Sequence, residues 1–586
     1  MPRQFELGGE GAAADASVEV RRDTSLPAQG YSLSASRDGF RIEHADAPGL
    51  RYAHAALAQI RSQAGAALPG FRIHDWPDFS VRGYMLDVSR DRVPTRATLE
   101  GLVGLLAMLR INQLQLYTEH SFAYRDHETV WRDASPMTPE DVRWLDALCG
   151  DRGIELVANQ NCFGHMGRWL QHPDYRHRAE APDGWESPWS GRGRRQSASV
   201  LAPTVDNADF ALGLVRELMS HFRSRSVNIG CDETFELGLG RSREAVAARG
   251  RGRVYLEHLQ RLLAGLHAEG CDVQFWGDIV RQHPELVSEL PMDRTVALVW
   301  HYEAPMNAAA IAGIPSRVRA SLAEFGINEE SLRGFAGQVP VFAEAKHPFW
   351  VCPGTSTWNA LIGRLDNARA NLRDAARVGR ENGASGFLIT DWGDNGHLQP
   401  PAVSVPPLVY GAAVSWCEES NRDLDLGAVL DRFVFEDRAE ALGGVLEDLG
   451  SLYAGTGLTG INASPLHSAL VGGGVLPSLG QAEASGVRAT LEGLDRASAD
   501  IARARPGCRD GELVRRELLQ AIRLARHGAW RIARSAGFDC PSDRDLRQDL
   551  AEAIEEQRGC WLERSRPGGL SDSLARLEAT LARYVD

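Results

Sequence analysis

No stretch of the 586 residues reaches the roughly 20 consecutive apolar residues that a membrane-spanning helix requires. The opening Met1-Pro2-Arg3-Gln4-Phe5-Glu6-Leu7 also lacks the apolar core of a secretory signal. The nine cysteines are odd in number and scattered, with no CxxC pair and no zinc-ligand spacing. Cys149, Cys231, Cys271 and Cys352 lie within or beside apolar segments, where a free thiol packs as a small hydrophobe. An excess of basic residues is missing too. Arginine and lysine number 64 against 78 aspartates and glutamates, for a net charge of −14, which argues against nucleic acid and anionic membrane as partners. The expectation from these absences is a reduced, cytoplasmic protein without metal or cofactor. Its charge is compatible with a neutral substrate.

What is present is a soluble globular composition, 43% hydrophobic and 24% charged, on a chain too long for one core. Residues 1–76 read as a small α+β unit. Val18-Glu19-Val20, Tyr31-Ser32-Leu33-Ser34 and Gly39-Phe40-Arg41-Ile42 alternate as short strands, and Ala53 to Gln63 reads as a helix. Over residues 77–424, eight short apolar segments end near Val88, Tyr117, Ala158, Ile229, Trp276, Trp300, Cys352 and Thr390. Helical patterns separate most of them. Leu99, Leu102, Val103 and Leu106 share one helix face, and Thr138-Pro139-Glu140-Asp141 carries a capping signature. Eight such units predict an α/β fold closed as a (β/α)8 barrel. No glycine-rich phosphate loop follows any strand, which weakens an open nucleotide-binding sheet. Residues 425–586 read as mainly helical, with Val514, Leu518, Ile522, Ala525 and Ala529 on one face. This region is expected to pack on the barrel or to serve a homodimer contact, and Gly455 to Gly480 reads as loop.

A barrel places its chemistry at the carboxyl ends of its strands. The fourth strand ends in Gly230-Cys231-Asp232-Glu233. Taken alone, two adjacent acids after an apolar run are as ordinary as a solvated loop or a helix amino terminus. The other strand ends alter that weighting. They offer Arg82, Asp87 and Arg90; Glu119 and His120; Asn161 to His165; Trp276 and Asp278; Trp300 to Glu303; Trp358; and Trp392 to His397. Four tryptophans among eight strand ends, with carboxylates and an arginine, suit a pyranose ring. Its apolar faces stack on aromatics while its edges take hydrogen bonds.

Arg82-Gly83-Tyr84-Met85-Leu86-Asp87-Val88-Ser89-Arg90, Cys162-Phe163-Gly164-His165 and Ile229-Gly230-Cys231-Asp232-Glu233 resemble, in order, signatures of the glycoside hydrolase family 20 β-N-acetylhexosaminidases. Gly30-Tyr31-Ser32-Leu33 and the following helix resemble that family's small amino-terminal domain. The resemblance covers roughly residues 18 to 420. It implies an exo-acting enzyme that removes terminal β-linked GlcNAc or GalNAc with retention, the substrate's own 2-acetamido carbonyl attacking C1. Glu233 would be the acid/base, and Asp232 would orient the acetamido N–H. Arg82 would bind the C3 and C4 hydroxyls. Trp276, Trp358 and Trp392 would wall the ring, and Asp394 would bind the C4 or C6 hydroxyl. His165 would contact a carboxylate or hydroxyl, Glu119 would stand near the second-strand acidic position, and Tyr302 would substitute for the tyrosine that holds the acetamido oxygen. Three departures stand out. Asn161 replaces an aspartate, no tyrosine lies beside Trp358, and Asp394 replaces a glutamate, which leaves gluco against galacto preference open.

Two other readings compete. One is a catalytically silent sugar-binding barrel, and the other is a metal-dependent barrel hydrolase using His165, Asp232 and His301.

Overall fold

The computed structural model describes residues 1–584 apart from 64, 66, 188–194, 315, 317, 318, 320, 321, 324–326 and 473–478. Its first unit is a five-stranded sheet of β1 (Gln4–Leu7), β2 (Val18–Arg22), β3 (Tyr31–Ser36), β4 (Gly39–His44) and β5 (Phe71–Asp75), in spatial order β1-β5-β3-β4-β2. Leu33, Phe40, Ile42 and Ile73 point to one buried face, as alternation requires. Helix Ala47–Gln63 covers that face with Tyr52, Ala53, Ala56 and Leu57. The helix starts earlier than its alanine-rich stretch because Asp46 accepts the Gly49 N–H at 2.8 Å and so caps it. Strands β1 and β5 flank the predicted ones and add two the alternation did not mark.

The second unit is a closed parallel barrel of β6 (Val81–Asp87), β7 (Gln113–Tyr117), β8 (Glu155–Asn159), β11 (Ser226–Asn228), β12 (Asp272–Trp276), β13 (Thr295–Trp300), β14 (Phe349–Cys352) and β15 (Gly386–Asp391). A two-stranded ribbon, β9 (Trp185–Glu186) with β10 (Arg195–Gln196), stands outside it. Six paired residues, from Gly386 opposite Val81 to Asp391 opposite Leu86, close the barrel between β15 and β6. The predicted capping box is made in full, Thr138 and Asp141 each satisfying the other's backbone N–H.

The barrel interior is divided in chemistry. Met85, Leu298, Trp350 and Leu388 form an apolar side. Opposite them, Gln113, Gln115, Asn159, Asn228 and Gln274 are buried polar residues. Gln115 donates to Gln274 at 2.8 Å and accepts from Asn159 at 3.0 Å and from Asn228 at 3.1 Å. Buried carboxamides are tolerated because most of their polar atoms satisfy one another, Asn159 Oδ1 being an exception among the described residues.

The carboxyl-terminal region contributes the long helices Ala484–Arg503, Gly511–Ala536, Asp543–Arg564 and Leu570–Leu581, and the predicted face of the second of these is buried. The region packs on the barrel. Thr95 N–H and the Thr98 hydroxyl both reach Arg564 O, and Arg566 pairs with Asp141 at 2.8 Å. The glycine-rich stretch from 455 to 480 departs from the loop expectation. It carries a short strand pair, β16 (Leu458–Thr459) with β17 (Leu479–Gly480), and helix Pro465–Val471, while residues 473–478 lie outside the described residues. Among the described residues, no helix is long and apolar enough to cross a membrane.

Candidate active site

Strand β11 ends at Asn228, and the chain then turns sharply. Gly230, Cys231 and Glu233 all have positive φ, at +65°, +72° and +49°. Two of these are not glycine, and such conformations persist only where their surroundings enforce them. Tyr255 donates to Cys231 O at 2.9 Å, and Asn161 Oδ1 accepts the Cys231 N–H at 3.2 Å. Asp278 Oδ2 takes the Glu233 N–H at 3.2 Å. Two glycines let the neighbouring loops close in. A Cβ on Gly230 would lie 2.5 Å from Asn161, and one on Gly164 would lie 2.2 Å from Asp232 O.

The turn separates the two acids. The Asp232 side chain is 8% exposed and that of Glu233 is 37% exposed. Asp232 Oδ1 accepts from Asn161 Nδ2 at 2.7 Å, and Oδ2 lies 3.3 Å from His165 Nε2. The same nitrogen is 3.4 Å from Glu233 Oε2. Burial alone would raise the Asp232 carboxyl, but the imidazole and the Asn161 amide outweigh it and hold the group below its ordinary value. Burial likewise lowers His165, and the Asp232 and Glu233 carboxylates carry it well above the ordinary imidazole range. The expected aspartate at 161 would add a like charge beside Asp232, whereas asparagine supplies a donor.

Asp278, at the start of the short helix after β12, behaves oppositely. Burial first, then the Asp232 charge, push it up to about 8.

Arg90 occupies the side of the mouth above β6. Its guanidinium is 2.9 Å from Asp87, 3.3 Å from Asp394 and 3.5 Å from Glu119. It lies against the rings of Tyr117 and Trp392, which meet edge-on at 4.8 Å, and is 5.0 and 4.9 Å from their centroids. Glu119 is buried beneath it and bonded to Tyr117 OH at 3.0 Å.

Aromatic rings form the remaining wall. Trp300 and Tyr302 stack at 5.2 Å, and Trp358 meets Tyr302 edge-on at 5.1 Å. Trp392 donates its indole N–H to Tyr302 OH at 2.9 Å. The indole N–H groups of Trp276 and Trp300 are buried with no partner among the described residues. Asp391 holds this wall from behind by accepting from Thr355, Thr357 and Tyr84 at 2.7, 2.9 and 2.6 Å.

One pocket therefore gathers Asp232, Glu233, His165, Trp276, Tyr302, Trp358, Trp392 and Asp394, together with Arg90, Trp300 and Asn462. Glu119 reaches it through Arg90.

Arg82 is a correction. It is the second residue of β6, at the amino end of the strand, and is only 1% exposed. It donates to Phe79 O at 2.7 Å, Tyr52 OH at 2.9 Å and Arg110 O at 3.0 Å, with its guanidinium 4.9 Å from the Trp416 ring centroid. Arg82 joins the small sheet domain to the underside of the barrel, and the arginine in the pocket is Arg90. His301, offered for a metal site, does not line the pocket. Its ring is 6.0 Å edge-on from Phe335.

An eight-stranded parallel barrel with paired acids beneath an aromatic wall is the class of protein these features define. More narrowly, the chain belongs to glycosyl hydrolase family 20. Residues 79–318 match its catalytic domain and residues 3–76 match its domain 2, together more than half of the chain. Hexosaminidase D of Homo sapiens is 24% identical over 236 residues, covering 39% of this chain and 46% of that protein. A β-N-acetylhexosaminidase of Cellulomonas fimi is 31% identical over 130 residues, covering 21% and 26% respectively. The chain thus covers less than half the length of each of these two relatives. Among solved structures, a β-N-acetylhexosaminidase superposes with TM-score 0.54 at 18% identity, covering 74% of this chain and 95% of that one. The GH20 β-N-acetylhexosaminidase of Streptomyces coelicolor A3(2) gives 0.51 at 16% identity, covering 77% and 95%. These likenesses concern the fold.

Proposed function

We propose that this protein is an exo-acting β-N-acetylhexosaminidase that removes terminal β-linked GlcNAc or GalNAc with retention. The observation that carries this reading is the unequal setting of the two acids. A nucleophilic carboxylate needs an oxygen free to reach C1. Both Asp232 oxygens are engaged, by Asn161 and His165, and the side chain is nearly closed off. Such a carboxylate is suited to holding a donor and opposing positive charge. Glu233, open to the pocket, is suited to passing a proton to the leaving oxygen and then taking one from water.

The nucleophile is then assigned to the substrate. An acetamido carbonyl at C2 attacks C1 as Glu233 protonates the glycosidic oxygen. Asp232 accepts the acetamido N–H and stabilises the cationic ring that forms. Trp276, Tyr302, Trp358 and Trp392 exclude water from this step. Arg90 and Asp394, 3.3 Å apart, take the hydroxyls at the far edge of the sugar, and Glu119 fixes Arg90 from below. His165 keeps Asp232 ionised. The names of the relatives support the N-acetylhexosaminide class. All nine cysteines are free thiols, which supports a reducing, cytoplasmic setting.

The test compares aryl β-GlcNAc, aryl β-GalNAc and plain aryl β-glucoside. Turnover of the acetamido sugars far above the glucoside is expected. Equal turnover of the glucoside would exclude substrate assistance, and binding of GlcNAc without any turnover would favour a sugar-binding barrel.

A further inference from the structure

Among the residues lining the pocket, Asn462 alone comes from the carboxyl-terminal region. It lies in the turn Gly460-Ile461-Asn462-Ala463 between β16 and helix Pro465–Val471. Its φ of +54° is a left-handed conformation that asparagine tolerates. The turn is fastened to the barrel at several points. Asn462 N–H donates to Glu303 Oε1 at 2.7 Å, and Glu303 is held by Arg364 through bonds of 3.0 and 2.6 Å. Asn462 O accepts from Asn359 at 3.3 Å, and Ser464 N–H returns to Asn359 O at 2.8 Å.

The side chain is oriented by chemistry. Trp358 Nε1 lies 2.8 Å from the Asn462 amide. An indole nitrogen can only donate, so the amide must present its oxygen to Trp358. The amide nitrogen is thereby fixed, and neither of its N–H groups has an acceptor among the described residues. The adjoining wall at the ends of β13 and β14 is otherwise aromatic, formed by Trp300, Tyr302 and Trp358. Arg90 and Asp394 serve the side of β6 and β15, and the two acids serve β11.

We propose that Asn462 is a substrate-contacting residue. Its Nδ2 donates a hydrogen bond to an oxygen of the terminal sugar, so the carboxyl-terminal region completes the sugar subsite. This rests on the glycosidase reading above. It gives the subsite a third polar anchor, set where the barrel itself offers only ring faces.

Two variants separate substrate contact from support of Trp358. N462D keeps an oxygen for the Trp358 N–H but has no N–H to donate, whereas N462A removes both. The measurement is kcat and KM on aryl β-GlcNAc, with thermal unfolding as a check on folding. Losses in kcat/KM of tenfold or more in both variants, mainly through KM and at an unchanged unfolding midpoint, support the contact. Wild-type kinetics in N462D with a loss confined to N462A would overturn it, leaving Asn462 as a prop for the indole. A wild-type protein that turns over no β-N-acetylhexosaminide would overturn the glycosidase reading and this inference together.

Discussion

His165 Nε2 stands 3.3 Å from Asp232 Oδ2. Burial works against a charged carboxyl, and this contact, with the Asn161 amide, reverses the effect. Its folded pKa therefore lies below that of the unfolded chain, so Asp232 stabilises the fold above about pH 4 and loses that contribution as pH falls through the lowered value. Replacing His165 by alanine raises the pKa again. The acid limb of the kcat/KM profile should then move to higher pH in H165A, because Asp232 takes up its proton sooner. Profiles on an aryl β-GlcNAc between pH 3 and 7 check this, and an unmoved acid limb would detach His165 from the ionisation of Asp232.

Glu233 is the exposed member of the pair, so its removal should be felt in proportion to the leaving group's need for a proton. For E233Q we expect kcat on a poorly acidic aryl leaving group to fall by about 10²–10⁴-fold, the usual contribution of general acid catalysis. The loss should shrink markedly with a dinitrophenyl leaving group, which departs unprotonated. An equal loss on both substrates would assign Glu233 a role other than proton donor.

The two arginines of β6 and its following loop should differ in what they do for activity. Arg82 is buried without a carboxylate on its guanidinium, bonded instead to carbonyls and to Tyr52. Its replacement by methionine strands those acceptors and should cost roughly 2–4 kcal/mol of stability at nearly unchanged kcat/KM. R90A should lower kcat/KM by about 10²-fold through lost positioning. It also strips Asp87, Glu119 and Asp394 of their cation and so carries a stability cost of its own, which makes kcat/KM the quantity that separates the two arginines. Unfolding curves and steady-state kinetics on both variants decide it. A kinetic defect in R82M as large as that in R90A would return Arg82 to the site.

That contrast also marks how far the residues could be read in advance. All eight barrel strands were legible because parallel strands buried on both faces are short apolar runs between amphipathic helices. Thr138 to Asp141 declared its helix start chemically. Tyr302 and Asp394 followed from lying just past strand ends. The resemblance pointed to Arg82, but the direction of the strand favours Arg90. With the strand running through Tyr84 to Asp87, Arg82 is five residues from the carboxyl end, about 16 Å at strand rise, while Arg90 lies just beyond it. Trp300 was visible as the last residue of its strand. Asn462 gave no such sign, being distant in sequence and in a turn that read as loop. Its place depends on contacts with Glu303, Asn359 and Trp358 that no local pattern encodes.

Asp278 offers the last measurement. It accepts the Glu233 N–H through Oδ2, while its Oδ1 is buried without a partner among the described residues. It faces the charges of Asp232, Glu233 and Arg281, and burial with the Asp232 charge brings it to about 8. The unfolded chain releases this proton near pH 4 and the folded protein near pH 8, so between those values the native state binds one proton more. Stability from this group is full below the unfolded pKa and declines as pH rises toward 8. Asparagine cannot ionise, and its oxygen can still accept the Glu233 N–H, so D278N is free of that decline. Whatever fixed cost the amide adds, D278N should gain on the wild type steadily from pH 5 to about pH 8, and the difference should level off above. Denaturant unfolding of both proteins across pH 5 to 9 reads this directly. A difference independent of pH would mean that Asp278 is already ionised in the native protein at neutrality, with its charge held next to those of Asp232 and Glu233.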